Sequence, residues 1–172
     1  MTDEINWTRV LQLANLVGVA HLAGYHWASE QIAMYNILRL RDRDAIAEGW
    51  FRGWDFGRVY GPAMVTGTAA VFGFLAWKDG TQSPSFPYHL AASVLIGFVA
   101  PYTKFRVFPI NDKLLAEHER MLSRGKKSDE QAEDTSFEQV LQWAAEWKRL
   151  DLHRQFLACA ATVAGLIAAV KS

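Results

Sequence analysis

Side chains able to move protons or hold an oxyanion gather at four places in this chain, each at or near a long apolar run. His21, Tyr25 and His26 lie inside the first run, and Tyr102 and Thr103 close the third. Asn111 and Asp112 follow Pro109, while Asp151, His153 and Arg154 precede the last run. Histidine or aspartate in such company suits general acid–base catalysis, and arginine, tyrosine or asparagine can stabilise developing oxygen charge. His153 and Asp151 are therefore the candidate bases. Arg154 and Tyr102 are the candidate partners of an oxyanion, and Asn111 can polarise a carbonyl. No Walker loop, GxGxxG after a strand, GxSxG elbow or HExxH occurs, so nucleotide-driven and common hydrolase chemistries lack their usual signals.

Each candidate also has a plainer account. A histidine inside an apolar span is a functional candidate by default, yet a neutral ring hydrogen-bonded between helices explains His21 and His26 as well. Their separation of five residues turns them about 140° apart on a helix, so without a kink they cannot share a metal. His21 and Tyr25 share a face better and are taken as substrate contacts. Arg154 is either a snorkelling anchor or a cation that holds a ligand oxyanion or an acidic partner. The second is preferred because asparagine, aspartate, histidine and tyrosine can converge there. Trp50, Trp54, Trp143 and Trp147 read as an interfacial aromatic belt or as flat walls of a polycyclic-ligand pocket.

The elements that must position these residues are apolar helices. Uncharged windows run over Val10–Ser29, Val59–Trp77, Ser83–Thr103 and Gln155–Val170, against the roughly 20 helical residues that a bilayer core requires. The last is short unless Leu150 and Leu152 extend it. From Ser83 to Thr103 no polar stripe interrupts the apolar surface, unlike a water-facing helix. Nothing alternates with a strand period. Basic residues then sort by side: 15 of the 18 lie in 30–58 and 104–154, which four crossings would place together and therefore on the cytoplasmic face. The expectation is an all-α, four-helix transmembrane bundle in one domain over 1–172, with spans near 10–29, 59–77, 85–103 and 152–170. Both termini lie opposite the basic side.

Finer features follow. Leu114, Leu115, His118 and Leu122 predict a short interfacial helix between the third and fourth spans. Ser123 to Thr135 reads as a mobile loop. Thr135 with Glu138 reads as a capping box, beginning a helix that nothing stops before Val170, so the last helix is long. Gly57, Gly61, Gly67, Ala70 and Gly73, and then Ala160, Ala164 and Ala168, permit close helix packing, though any alanine-rich helix produces such spacings.

The totals narrow the class. The 172 residues carry 18 basic and 18 acidic side chains, so no nucleic-acid partner is expected. Cys159 stands alone, which excludes an intrachain disulfide and a cysteine-based zinc site. The first run lacks a clear small-residue cleavage site and is expected to be retained. The expected partners are a hydrophobic small molecule and the lipid bilayer, with an oligomer admitted. No metal and no cofactor are expected.

Several motifs together resemble a known family. They are Trp50-x3-Trp54-x2-Gly57-x4-Pro62, Ala76-Trp77, Pro101-Tyr102-Thr103, Pro109-Ile110-Asn111-Asp112-Lys113-Leu114-Leu115, and Trp147-x2-Leu150-Asp151-x2-Arg154. In this order and spacing the chain resembles the fungal anthrone oxygenase-like integral membrane proteins of polyketide pathways. The resemblance implies a small tailoring enzyme of secondary metabolism that oxidises an anthrone with molecular oxygen and no bound cofactor. Endoplasmic reticulum is the default location. Two positions depart from the pattern: Asp151 stands where asparagine is expected, and Trp54 where a tyrosine-type aromatic is more usual. The alternatives are a cofactor-free cyclase, isomerase or pericyclase in the same pocket, and a non-catalytic scaffold or carrier.

Overall fold

The computed structural model describes residues 6–124 and 135–172, so most of the expected mobile loop lies outside the described residues. Every regular element among them is helical. Helix α1 (Trp7–Ala28) runs on into a π-helical turn, Ser29–Met34, and a last turn, Tyr35–Ile37. Helix α2 (Arg43–Asp79) carries Pro62 in its interior. Helix α3 is a composite of Phe86–Gly97, Val99–Tyr102, a second π-helical turn Thr103–Val107, and Phe108–Arg124. Helix α4 (Phe137–Lys171) has 35 residues, the long last helix that the uninterrupted pattern predicts. Arg43–Asp79, Phe86–Ser123 and Phe137–Lys171 are long and apolar enough to cross a membrane.

Local chemistry sets the boundaries. Gly80 sits at φ 71° and donates its N–H to the Ala76 carbonyl. That left-handed stop to α2 costs glycine no Cβ clash. The third span and the amphipathic segment are one helical run rather than two elements. The π turn ends two residues before Pro109 and contains Phe105, whose carbonyl the proline ring would strike in regular α geometry; widening that turn lets the helix continue. Leu114 and His118 are buried while Leu122 is exposed, so this amphipathic face packs on protein rather than lying wholly at an interface. At the start of α4 the cap is Ser136, whose Oγ accepts the Gln139 N–H at 3.2 Å. Thr135 instead receives Arg43 on its carbonyl at 2.6 Å and Arg120 on its hydroxyl.

The chain divides into two compact units. The first comprises the described parts of Met1–Tyr25, Gly61–Pro101 and Arg154–Ser172. Its buried residues include Val19, Leu22, Phe72, Leu75, Ala92, Ile96, Ala158, Ala161 and Ala168. The small residues of α4 that pack are thus Ala158, Ala161, Gly165 and Ala168, one helical row along from Ala160 and Ala164. A Cβ on Gly165 would meet Leu16 Cδ2 and Phe72 Cζ at 2.8 Å each. Gly165→Val should therefore cost about 1–3 kcal/mol through overpacking, read as a lower midpoint of thermal aggregation in detergent. Gly67→Val, at a site with nothing within 4 Å, is the control and should shift that midpoint little.

A polar network closes one end of this unit. Asp79 Oδ2 accepts Ser85 Oγ at 2.6 Å and His89 Nδ1 at 2.7 Å, and the far ring nitrogen of His89 meets Gln12 Nε2 at 3.1 Å. Arg9 bonds Gln12 at 2.8 Å and the Ala169 carbonyl at 2.6 Å. Serine here bonds the carboxylate, not the imidazole, so its oxygen is not activated as a nucleophile would be. The network joins α1, α2, α3 and α4 as a structural tie.

The second unit comprises His26–Tyr60 and the described parts of Tyr102–His153. Met34, Ile46, Trp50, Val107, Ile110, Leu114, Val140, Ala144, Trp147 and Leu150 form its core. The buried Glu117 carboxylate meets Arg120 at 2.9 Å and Arg43 at 3.8 Å. His118 stacks on Phe51 with ring centroids 3.9 Å apart and bonds Glu48 at 2.9 Å. Buried charges persist where such partners meet them. Here they tie the first turns of α2 to the last turns of α3.

Candidate functional site

Most of the sequence candidates fall in the second unit, in three local settings. The first is an open groove of about 670 Å³ lined by Tyr102, Arg106, Arg149, Leu150, Leu152 and His153. Arg149, Leu152 and His153 share a face of α4 by their spacing of three and four residues. Tyr102 is the last residue before the π turn of α3, and Arg106 lies within that turn. The Tyr102 hydroxyl is 3.1 Å from His153 Nδ1, with the rings 5.8 Å apart. His153 is exposed and Tyr102 half-buried, and both line the groove. When His153 Nδ1–H donates to the tyrosine oxygen, Nε2 keeps its lone pair as a base and the tyrosine keeps its own O–H. Such a pair carries both a proton acceptor and a proton donor.

The second setting is a buried pair. His26 Nδ1 lies 2.9 Å from Asp151 Oδ1, and the two residues are 5% and 0% exposed. Glu30, four residues after His26 and within the first π turn, is also buried. Asp151 is thus engaged with α1 rather than with the groove, although His153 is only two residues away. Two residues are about 200° on a helix, so neighbours in sequence face opposite sides.

The third setting is aromatic. Trp50 is 1% exposed. It stacks on Trp54 at 5.5 Å and 21°, and meets Trp147 edge-on at 6.4 Å and 84°. Trp147 donates its indole N–H to Asn111 Oδ1 at 2.8 Å. Trp50 and Trp147 are therefore core rather than belt, and Asn111 is bound to a core indole. Asn111→Leu removes the acceptor from a buried donor and should cost about 1–3 kcal/mol, measured as loss of folded protein on heating in detergent.

The remaining candidates are not among the residues of these three settings. Thr103 is half-buried at the start of the second π turn. His21 is exposed on α1, Tyr25 is half-buried, and both belong to the first unit together with the half-buried Arg154. Sequence reasoning passed over Arg106 and Arg149, whose only signal is the Arg149–Leu152–His153 spacing. It weighed His26 without pairing it. The signal there was a row of polar residues, Gln12, Asn15, His26 and Glu30, all buried along a helix that exposes Val10, Leu13, Val17 and Trp27. Among the described residues no group of three or more histidine, cysteine, aspartate or glutamate side chains is arranged to hold a metal ion.

Comparison with known proteins follows the same residues. A family model described as anthrone oxygenase matches residues 50–164. A curated protein named anthrone oxygenase, from Claviceps purpurea (strain 20.1), is 40% identical over 67 residues. That match covers 39% of this chain and 38% of the relative, so the chain matches little more than a third of the relative's length. No solved structure matches.

Proposed function

Because the chain belongs to the anthrone oxygenase family, we propose that it is a membrane-embedded monooxygenase that converts an anthrone-like polycyclic substrate to the quinone with molecular oxygen and no bound cofactor. The observation that carries this reading is the Tyr102–His153 contact of 3.1 Å at a substrate-accessible groove. His153 Nε2 takes a proton from the acidic methylene carbon. Tyr102 O–H donates to the adjacent carbonyl oxygen as it gains charge. The electron-rich carbanion then adds oxygen, forming a C–O bond, and the peroxide takes back the proton from His153. Loss of the remaining C–H proton breaks the O–O bond, leaving a carbonyl and releasing water. One oxygen atom stays in the product and the other leaves as water, and the electrons come entirely from the substrate.

Lipid accounts for the surface. Val94, Phe98, Phe105, Phe156, Val163 and Val170 are all more than half exposed, an arrangement favourable in a bilayer and costly in water. The 22 residues of α1 suffice for a fourth crossing. Four crossings in one domain put both termini opposite the basic, cytoplasmic side, with endoplasmic reticulum the default membrane.

Membranes containing the chain should oxidise an anthrone in air, with one labelled atom in the product when the gas is ¹⁸O₂, and should form no product under nitrogen. Equal turnover under nitrogen would replace this reading with the cyclase or isomerase. No turnover of an anthrone in either atmosphere would favour the carrier.

A further inference from the structure

The groove holds more positive charge than an enolisation needs. Arg106 and Arg149 both line it, and neither makes a hydrogen bond or ion pair with any described residue. Other arginines are engaged: Arg9 with Gln12, Arg43 and Arg120 with Glu117, Arg52 with Glu48, and Arg58 with Asp55. Among the described residues no carboxylate lines the groove. Its lining is two guanidiniums, an imidazole, a phenol and two leucines. A guanidinium is always charged and presents a planar fork matched to a carboxylate. Two of them beside leucine side chains suit a flat apolar molecule with an anionic edge.

Resting on the oxygenase reading, we propose that the substrate class is an anthrone bearing a carboxylate, held by Arg106 and Arg149, rather than a neutral anthrone. The fixed anion sets which ring edge faces the guanidiniums, and hence which carbon is presented to His153. The positive charge of the two guanidiniums also favours the anion that forms on the ring system. An anionic lipid headgroup offers the same oxyanion chemistry, and the test separates the two sources.

The experiment uses the full chain in nanodiscs of phosphatidylcholine alone, and in a second set containing phosphatidylglycerol. The probes are anthraquinone-2-carboxylate and anthraquinone, product-like molecules whose binding is read by quenching of tryptophan fluorescence and needs no turnover. The acid should bind at least about tenfold more tightly than the neutral quinone, and Arg106→Gln with Arg149→Gln should abolish that ratio, at about tenfold per lost charge-assisted bond. Adding phosphatidylglycerol should leave the ratio within about twofold. Equal binding of the two probes by the unaltered chain overturns the proposal. So does a ratio that the arginine changes leave intact, or one that phosphatidylglycerol removes, which would assign the arginines to lipid. These outcomes are independent of whether oxygen is consumed: an anthrone oxidised without charge preference sinks only this proposal, whereas binding without oxidation sinks the oxygenase reading.

Discussion

Replacing His153 by alanine should lower kcat for anthrone oxidation by about 10²–10⁴-fold, the usual contribution of a positioned general base. The ring is exposed at the groove, and its recorded partner is the Tyr102 hydroxyl at 3.1 Å. Little packing is lost, so the folded yield and thermal midpoint should match the unaltered chain. Tyr102→Phe keeps the ring and removes only the donor, and should cost about 10²-fold or more, as loss of an oxyanion donor does elsewhere. On the proposed mechanism one contact serves both roles, so the double variant should be little worse than His153→Ala alone, since residues acting as a unit are not additive. Turnover assayed at saturating oxygen decides the matter. Activity within about threefold of normal in His153→Ala, far from the loss expected of a general base, would mean that proton abstraction happens elsewhere.

The largest effect on stability is expected at the buried pair. His26→Leu leaves the Asp151 carboxylate inside the protein without its imidazole and should cost about 3–5 kcal/mol. Asp151→Leu should cost less, because near neutral pH an imidazole becomes uncharged at less cost than a carboxylate does. Asp151→Asn keeps an acceptor oxygen for the ring N–H and should be the mildest, near the ~1 kcal/mol of a neutral hydrogen bond. The double change His26→Leu with Asp151→Leu should recover much of the loss, since an apolar pair of similar size carries no desolvation cost. The order of aggregation midpoints in detergent across these four variants is the readout. If His26→Leu ranks as the mildest, the pair is not what secures this part of α4 to α1.

At this pair an aspartate on α4 meets a histidine on α1. The sequence could not supply that match. His26 and Asp151 are 125 positions apart, and nothing local says which face of α1 turns inward. Of two histidines inside one helix, His21 is exposed and His26 is buried. A periodicity argument separated them by angle but could not choose between them.

What the chain determined unaided is what depends on nearest neighbours and on solvent. Uncharged windows, a run without a polar stripe, and an unbroken pattern from Phe137 to Val170 dictate long helices, because backbone groups in apolar surroundings must bond within their own segment. The motifs from Trp50 to Arg154 identified the family for the same reason, being short and local. The tertiary structure decided everything that turns on helix rotation and register. It kept α3 continuous through a π turn ahead of Pro109, placed Ser136 rather than Thr135 at a cap, and made Trp50 and Trp147 core. It also set His153 beside Tyr102 while turning Asp151 to His26. A single residue of helical advance is about 100°, and which angle wins is fixed by packing between segments far apart in the chain.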